Sequence, residues 1–105
     1  MGVQADIFSL GVILFILAFG SPPFNEATMK EQNYRILQRS PEKFWINHPN
    51  VKNSRRGGDL LNKDLSDLIT SLMMSSPSDR PQTIKEIVSH PFFTNDKQLL
   101  DPMTN

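Results

Sequence analysis

The chain carries two histidines, His48 and His90, and each stands directly before a proline. Paired imidazoles can hold a metal, but the acidic residues around these two supply no ligand set with metal-site spacing. His90 is therefore expected to cap or pack at a helix end, and His48 to lie in a loop. Asp and Glu are scattered along the sequence, and scattered carboxylates alone define no acid–base pair. The absence of Cys excludes disulfides, thiolate metal sites and Cys nucleophiles. No glycine-rich phosphate cradle, HExxH pair, GxSxG elbow or acidic calcium loop is present. No catalytic, cofactor-binding or metal-ligating residue is assigned, and as a self-sufficient enzyme the chain offers no site.

Charge narrows the partner classes. Eleven basic residues balance eleven acidic ones, so net charge makes no case for nucleic acid or anionic membrane. Lys52, Arg55 and Arg56 cluster without an interleaved aromatic residue. They read as a solvated loop, or else as a docking patch for an acidic partner.

These residues need elements to position them, and 105 residues suffice for one small domain. Ile7 to Phe19 is apolar apart from Ser9 and Gly11, with Asp6 as a candidate N-cap and Gly20-Ser21-Pro22-Pro23 as a stop. A helix that is apolar on every face must be surrounded by protein, so this one is expected at the centre. It is too short for the roughly 20 residues of a membrane span. Asp6 also stands where a myristoylation signal at Gly2 would need Ser or Thr. Asn25 to Arg39 suits an amphipathic helix whose stripe is Met29, Tyr34, Ile36 and Leu37. Glu42 to Ile46 is expected as one helical turn anchoring Phe44 and Trp45, and Asn47 to Asp59 as a loop.

Leu65, Leu68, Ile69, Leu72 and Met73 show the clearest helical period, with Asn62 as cap and Asp64 in the first turn. Thr83 and Glu86 form a capping box for a short helix facing inward through Ile84, Ile87 and Val88. Thr94 to Asn105 is a polar tail. No internal repeat and no convincing strand is visible, so the expected class is all-α, with four main helices around one buried central helix.

Two stretches at opposite ends then combine. The run from Asp6 to Leu14 (DIFSLGVIL), followed by Gly20-Ser21-Pro22-Pro23-Phe24, resembles the pattern that opens the large central helix of the protein kinase C-lobe. Asp79-Arg80-Pro81 and His90-Pro91-Phe92-Phe93 resemble that family's closing pattern, and Leu65-Ser66-Asp67-Leu68-Ile69 fits the helix between them. The style is that of Ser/Thr kinases, nearest the calcium/calmodulin-dependent group. Tyr34 to Leu37 and Phe44-Trp45 resemble a variant found in ciliate and other protist kinases. Two departures stand out: Phe8 replaces the usual Trp, and Ser75-Ser76 precedes Pro77 where an acid is common.

The resemblance implies an ATP- and magnesium-dependent family, yet the glycine-rich loop, the strand Lys, the catalytic Asp and the DFG-type Asp are not found in these 105 residues. In the family they precede the helix that begins near Asp6, as does the activation segment. The resemblance gives Asp6 the role of holding the catalytic loop to the central helix. It gives Arg80 the role of pairing with the Glu of the activation segment's APE motif. Without that partner Arg80 is expected to turn toward solvent, or the chain to loosen around it. Residues 1–93 are thus expected to be the C-terminal part of a Ser/Thr kinase domain and 94–105 a tail. By family the protein is a cytoplasmic transferase, while this stretch is expected to be inactive alone and to bind no ATP or magnesium.

The lobe would then meet a protein substrate or regulatory protein, partly through Asn25 to Arg39. A competing reading is a non-catalytic helical module that binds partners through Tyr34, Phe44, Trp45 and the basic loop. A third, a small membrane-associated helical protein, rests on Ile7 to Phe19 alone.

Overall fold

A computed structural model describes residues 2–54 and 62–94. Those residues are all-α, with no strand among them. The helices among them are α1 (Val3–Phe19), α2 (Gln32–Arg39), α3 (Pro41–Asn47), α4 (Pro49–Ser54), α5 (Lys63–Leu72), α6 (Ile84–Val88) and α7 (Pro91–Thr94), with a 3-10 turn at Pro77–Asp79. Among the described residues there are thus seven helices: the four main ones expected, α3 at the helical turn expected for Glu42 to Ile46, and the short α4 and α7 besides. Arg55, Arg56 and the tail beyond Thr94 lie outside the described residues.

α1 starts four residues earlier than expected. Gly2 precedes its first turn and Asp6 lies inside the helix rather than at its cap. Asp6 still favours the helix, because a carboxylate in the first turn meets the positive end of the dipole. At the other end Gly20 adopts φ 84°, a left-handed conformation that glycine enters without steric cost. Its N–H donates to the Ile16 carbonyl at 2.8 Å and closes the helix.

The burial of α1 corrects the expectation of a surrounded helix. Ile7, Gly11 and Phe15, four residues apart, form the buried stripe. Ile13 and Leu17, on the other side, are 51% and 77% exposed. The remaining helices cover one side only. α5 lies against that stripe so closely that a Cβ on Gly11 would come within 2.6 Å of the Met73 side chain and 2.9 Å of Leu72 Cβ. The missing side chain is what allows the two helices to approach.

α2 is half the length expected. Residues 25–31 do not continue it, and Met29 is largely exposed rather than part of an apolar stripe. Glu31 sets the start: its carboxylate accepts from the backbone N–H groups of Asn33 and Tyr34, and from Asn25 N at 2.8 Å. Glutamate is outside the usual N-cap set of Ser, Thr, Asp and Asn, so this start gives little signal in sequence. Asn62 does cap α5 as expected, accepting from Leu65 N at 3.0 Å. Thr83 caps α6, while Glu86 reaches one residue further back than a capping box requires and accepts from Gln82 N at 2.9 Å.

The core has two parts. Phe15 is the hub of the larger, with ring centroids 4.8 Å from Phe19, 5.8 Å from Phe44, 5.6 Å from Trp45 and 5.1 Å from His48. Phe24 stacks edge-on against Tyr34 at 5.1 Å beside it. The smaller part joins Ile7 of α1 to Leu68 and Leu72 of α5 and Ile87 of α6.

Candidate functional site

The two residues given family roles lie at the same end of α1. Asp6 is exposed, and its side chain has no hydrogen-bond partner among the described residues. Arg80 does not turn outward as expected. Its Nε donates to the Met74 carbonyl at 2.7 Å, one terminal nitrogen to the Gln4 carbonyl at 3.0 Å, and the other to the Ser75 carbonyl at 3.3 Å. The guanidinium also sits over the Phe8 ring, 5.0 Å from its centroid, within cation–π range. Three backbone carbonyls and an aromatic face thus hold the guanidinium.

A guanidinium has five N–H groups, so two remain for a further acceptor. Gln4 strengthens the junction by donating from its side chain to the Pro81 carbonyl at 3.1 Å. Arg80 and Gln4 tie the turn after α5 to the first turns of α1.

Tyr34, Phe44 and Trp45, read from sequence as a binding surface, are placed in the core with 6%, 2% and 7% exposure. Trp45 also satisfies its ring N–H internally, donating to Thr70 Oγ1 at 2.7 Å. A buried Trp needs such a partner, and Thr70 gave no hint of it in sequence. Only an edge of Trp45 reaches a surface, in a groove of about 490 Å³ between α3 and the start of α5. Ile46, Lys63 and Asp67 also line that groove.

The two histidines share a device that sequence reasoning found only in part. In each His-Pro pair the imidazole caps the helix that the proline begins. His48 Nδ1 accepts from Asn50 N at 3.2 Å, and His90 Nδ1 accepts from Phe92 N at 3.0 Å. An accepting Nδ1 places the proton of the neutral ring on Nε2. His48 Nε2 accordingly donates to the Pro23 carbonyl at 3.0 Å, and His90 Nε2 to Asp67 Oδ2 at 2.7 Å. His90 thus caps and packs as expected. His48 does not lie in an open loop. It is buried between α3 and α4, against Phe15 and Phe44, and α4 with its buried Val51 occupies part of the stretch read as loop.

Burial pushes the His48 pKa below the usual imidazole value of 6.5, outweighing the opposing effects of the Pro23 carbonyl and the Glu31 charge. Protonation would also turn Nδ1 from acceptor to donor, directly against the Asn50 N–H. The unfolded chain binds a proton near pH 6.5 while the folded chain resists it. Stability from this group is therefore complete above about pH 6.5 and declines as pH falls below that value. Urea midpoints at pH 7.5 and pH 5.5 should show the decline, and His48→Gln should shrink it. An unchanged difference in the variant would assign the pH dependence elsewhere.

With this geometry established, the family follows from comparison with known proteins. The sequence pattern described as the protein kinase domain matches residues 1–93, and the chain belongs to that family. Its relatives are Ser/Thr kinases. The serine/threonine-protein kinase dst2 of Dictyostelium discoideum is 34% identical over 95 residues, covering 90% of this chain and 7% of its own length. A calcium and calcium/calmodulin-dependent serine/threonine-protein kinase of Oryza sativa subsp. japonica is 35% identical over 96 residues, covering 91% of this chain and 16% of its own length. The protein of the same description from Lilium longiflorum is 32% identical over 104 residues, with 93% and 17% covered. The chain therefore spans a minor part of the relatives it matches, 7% to 17% of these three. No solved structure matches it. No helix among the described residues is long and apolar enough to cross a membrane.

Proposed function

We propose that this stretch is the helical scaffold of a Ser/Thr kinase C-lobe, cytoplasmic, and that it presents part of the surface on which a protein substrate or regulator docks. The observation that carries the reading is Arg80. It is a cation fixed by three carbonyls and an aromatic face, with two N–H groups left to receive a carboxylate. Beside it α1 presents Asp6, exposed and ready to accept backbone N–H groups from another segment. Both residues hold parts in place and neither performs chemistry. ATP, magnesium and phosphoryl transfer belong to other segments of the family's domain, so residues 1–105 alone are expected to transfer no phosphate. The docking half of the reading rests on the groove beside Trp45 and on the exposed sides of α2 and α3. Tyr34 and Phe44 support that surface from beneath.

A chimera tests the scaffold half. Residues 1–93 would replace the matching stretch of the Oryza sativa relative, and kinase activity would be measured on a protein substrate. The chimera is expected to be active, and Asp6→Ala or Arg80→Ala within it to lower activity at least tenfold. A folded but inactive chimera would overturn the reading, as would full activity in both variants.

A further inference from the structure

The corner between α2 and α3 gathers three cations around one cleft. Arg35 and Arg39 stand four residues apart on α2, which places them on one face. Lys43 comes from the first turns of α3. With Ile36, Ser40 and Asn47 they line a cleft of about 290 Å³ that contains no acidic residue. The cleft continues past Arg39, Ser40 and Lys43 into a second of about 430 Å³, where Glu42 is the one opposing charge. Among the described residues none of the three cations has a carboxylate within ion-pair distance. Arg35 is oriented by donating to the Met29 carbonyl at 2.8 Å, while Arg39 and Lys43 are exposed. Like charges four apart on a helix repel, so an anion bound at the corner is favoured. In a chain of zero net charge this is a local concentration of one sign.

We infer that this cleft is a docking site for an acidic segment of a partner protein, one Asp, Glu or phosphoserine side chain entering between Arg39 and Lys43. Arginine offers a planar fork that matches carboxylate and phosphate geometry, and lysine adds a mobile point charge. Ile36 and the Asn47 amide suit a peptide with one apolar neighbour and a backbone carbonyl to engage. Nucleic acid is disfavoured because no aromatic side chain lines the cleft to stack a base. A membrane is disfavoured because the cations line a cleft rather than spreading over a flat face. The inference specifies the partner for the docking half of the proposed function and rests on that half alone.

The test is fluorescence anisotropy on the full chain with three labelled 15-residue peptides: one rich in Asp and Glu, one carrying a phosphoserine, and one neutral. Vesicles containing phosphatidylserine serve as the lipid arm. The acidic peptide, the phosphopeptide or both are expected to bind, more weakly as salt rises, and the neutral peptide not to bind. Arg39→Glu with Lys43→Glu should weaken binding at least tenfold, and the milder Arg39→Gln with Lys43→Gln should weaken it in the same direction. Lys85→Glu, a distant exposed cation on α6, should change nothing. Circular dichroism of each variant separates lost binding from lost folding, and if the reversal variant unfolds, the Gln pair decides. The inference fails if no acidic peptide binds, if the double variants bind as well as wild type, if Lys85→Glu weakens binding equally, or if only the vesicles bind. None of these outcomes bears on the chimera, so the scaffold reading stands or falls separately.

Discussion

Phe15→Ala should cost about 3–5 kcal/mol of folding stability, the usual range for truncating a fully buried aromatic. Phe15 has no exposed surface, and four rings converge on it from three directions: Phe19 from its own helix, Phe44 and Trp45 from α3, and His48 from the α3–α4 junction. Removing the ring leaves a cavity where α1, α3 and the α3–α4 junction meet. Against a typical stability of about 5–15 kcal/mol, that loss is a large fraction of the total. Denaturant titration followed by Trp45 fluorescence reads it directly. A loss below about 1 kcal/mol would mean that Phe15 is not the hub the ring geometry describes. Leu17→Ala, on the exposed side of the same helix, is the control and should stay within about 0.5 kcal/mol.

Arg80→Met should cost about 2 kcal/mol, through bonds from a charged donor to three carbonyls that are then left poorly paired. Methionine keeps much of the stem and its contact with Phe8, so the loss isolates the guanidinium. In a chain of this size each kcal/mol moves the melting temperature by roughly 4–8 °C, so scanning calorimetry should find a drop of around 10 °C. Arg80→Lys should recover little of it, because one ammonium cannot span the carbonyls of Gln4, Met74 and Ser75 together. Full recovery by lysine would show that charge near Phe8 matters more than the fork.

How much of this was legible in the sequence depends on whether the signal was local. α5 could be placed to within about two residues because its apolar period and its Asn62 cap agree. The end of α1 was equally plain, since Gly20 before two prolines is a strong stop. Its beginning was not: Val3 to Ala5 carry no cap or period signal of their own, and Gln4 among them is held by Arg80 and Pro81, far along the sequence. α4 was hidden because His-Pro-Asn reads as a turn until the imidazole is seen to accept the Asn50 N–H.

The candidate site divides the same way. Asp6 and Arg80 were found through family resemblance, but the carbonyl cradle of Arg80 depends on where Gln4 lies and could not be read. Tyr34 and Trp45 are amphipathic types that suit either a surface or a core, and Thr70, distant in sequence, decides for Trp45. The Arg35–Arg39 spacing is visible along α2, whereas the convergence of Lys43 upon it depends on the angle at Ser40-Pro41.

The bonds between Gln4 and residues 80–81 join positions 76 and 77 apart in the chain, and this has a consequence during synthesis. At about 5–20 residues per second a ribosome needs roughly 4–15 s to add that many residues. For most of that interval α1 is in the nascent chain without α5, and the part of its inner stripe that α5 covers, at Ile7 and Gly11, stays open. The most apolar of the described helices is thus made well before the residues that clasp it. Whatever shields nascent apolar segments in the cell must serve this helix until those residues follow, and slowing translation downstream of α1 should lower the soluble yield.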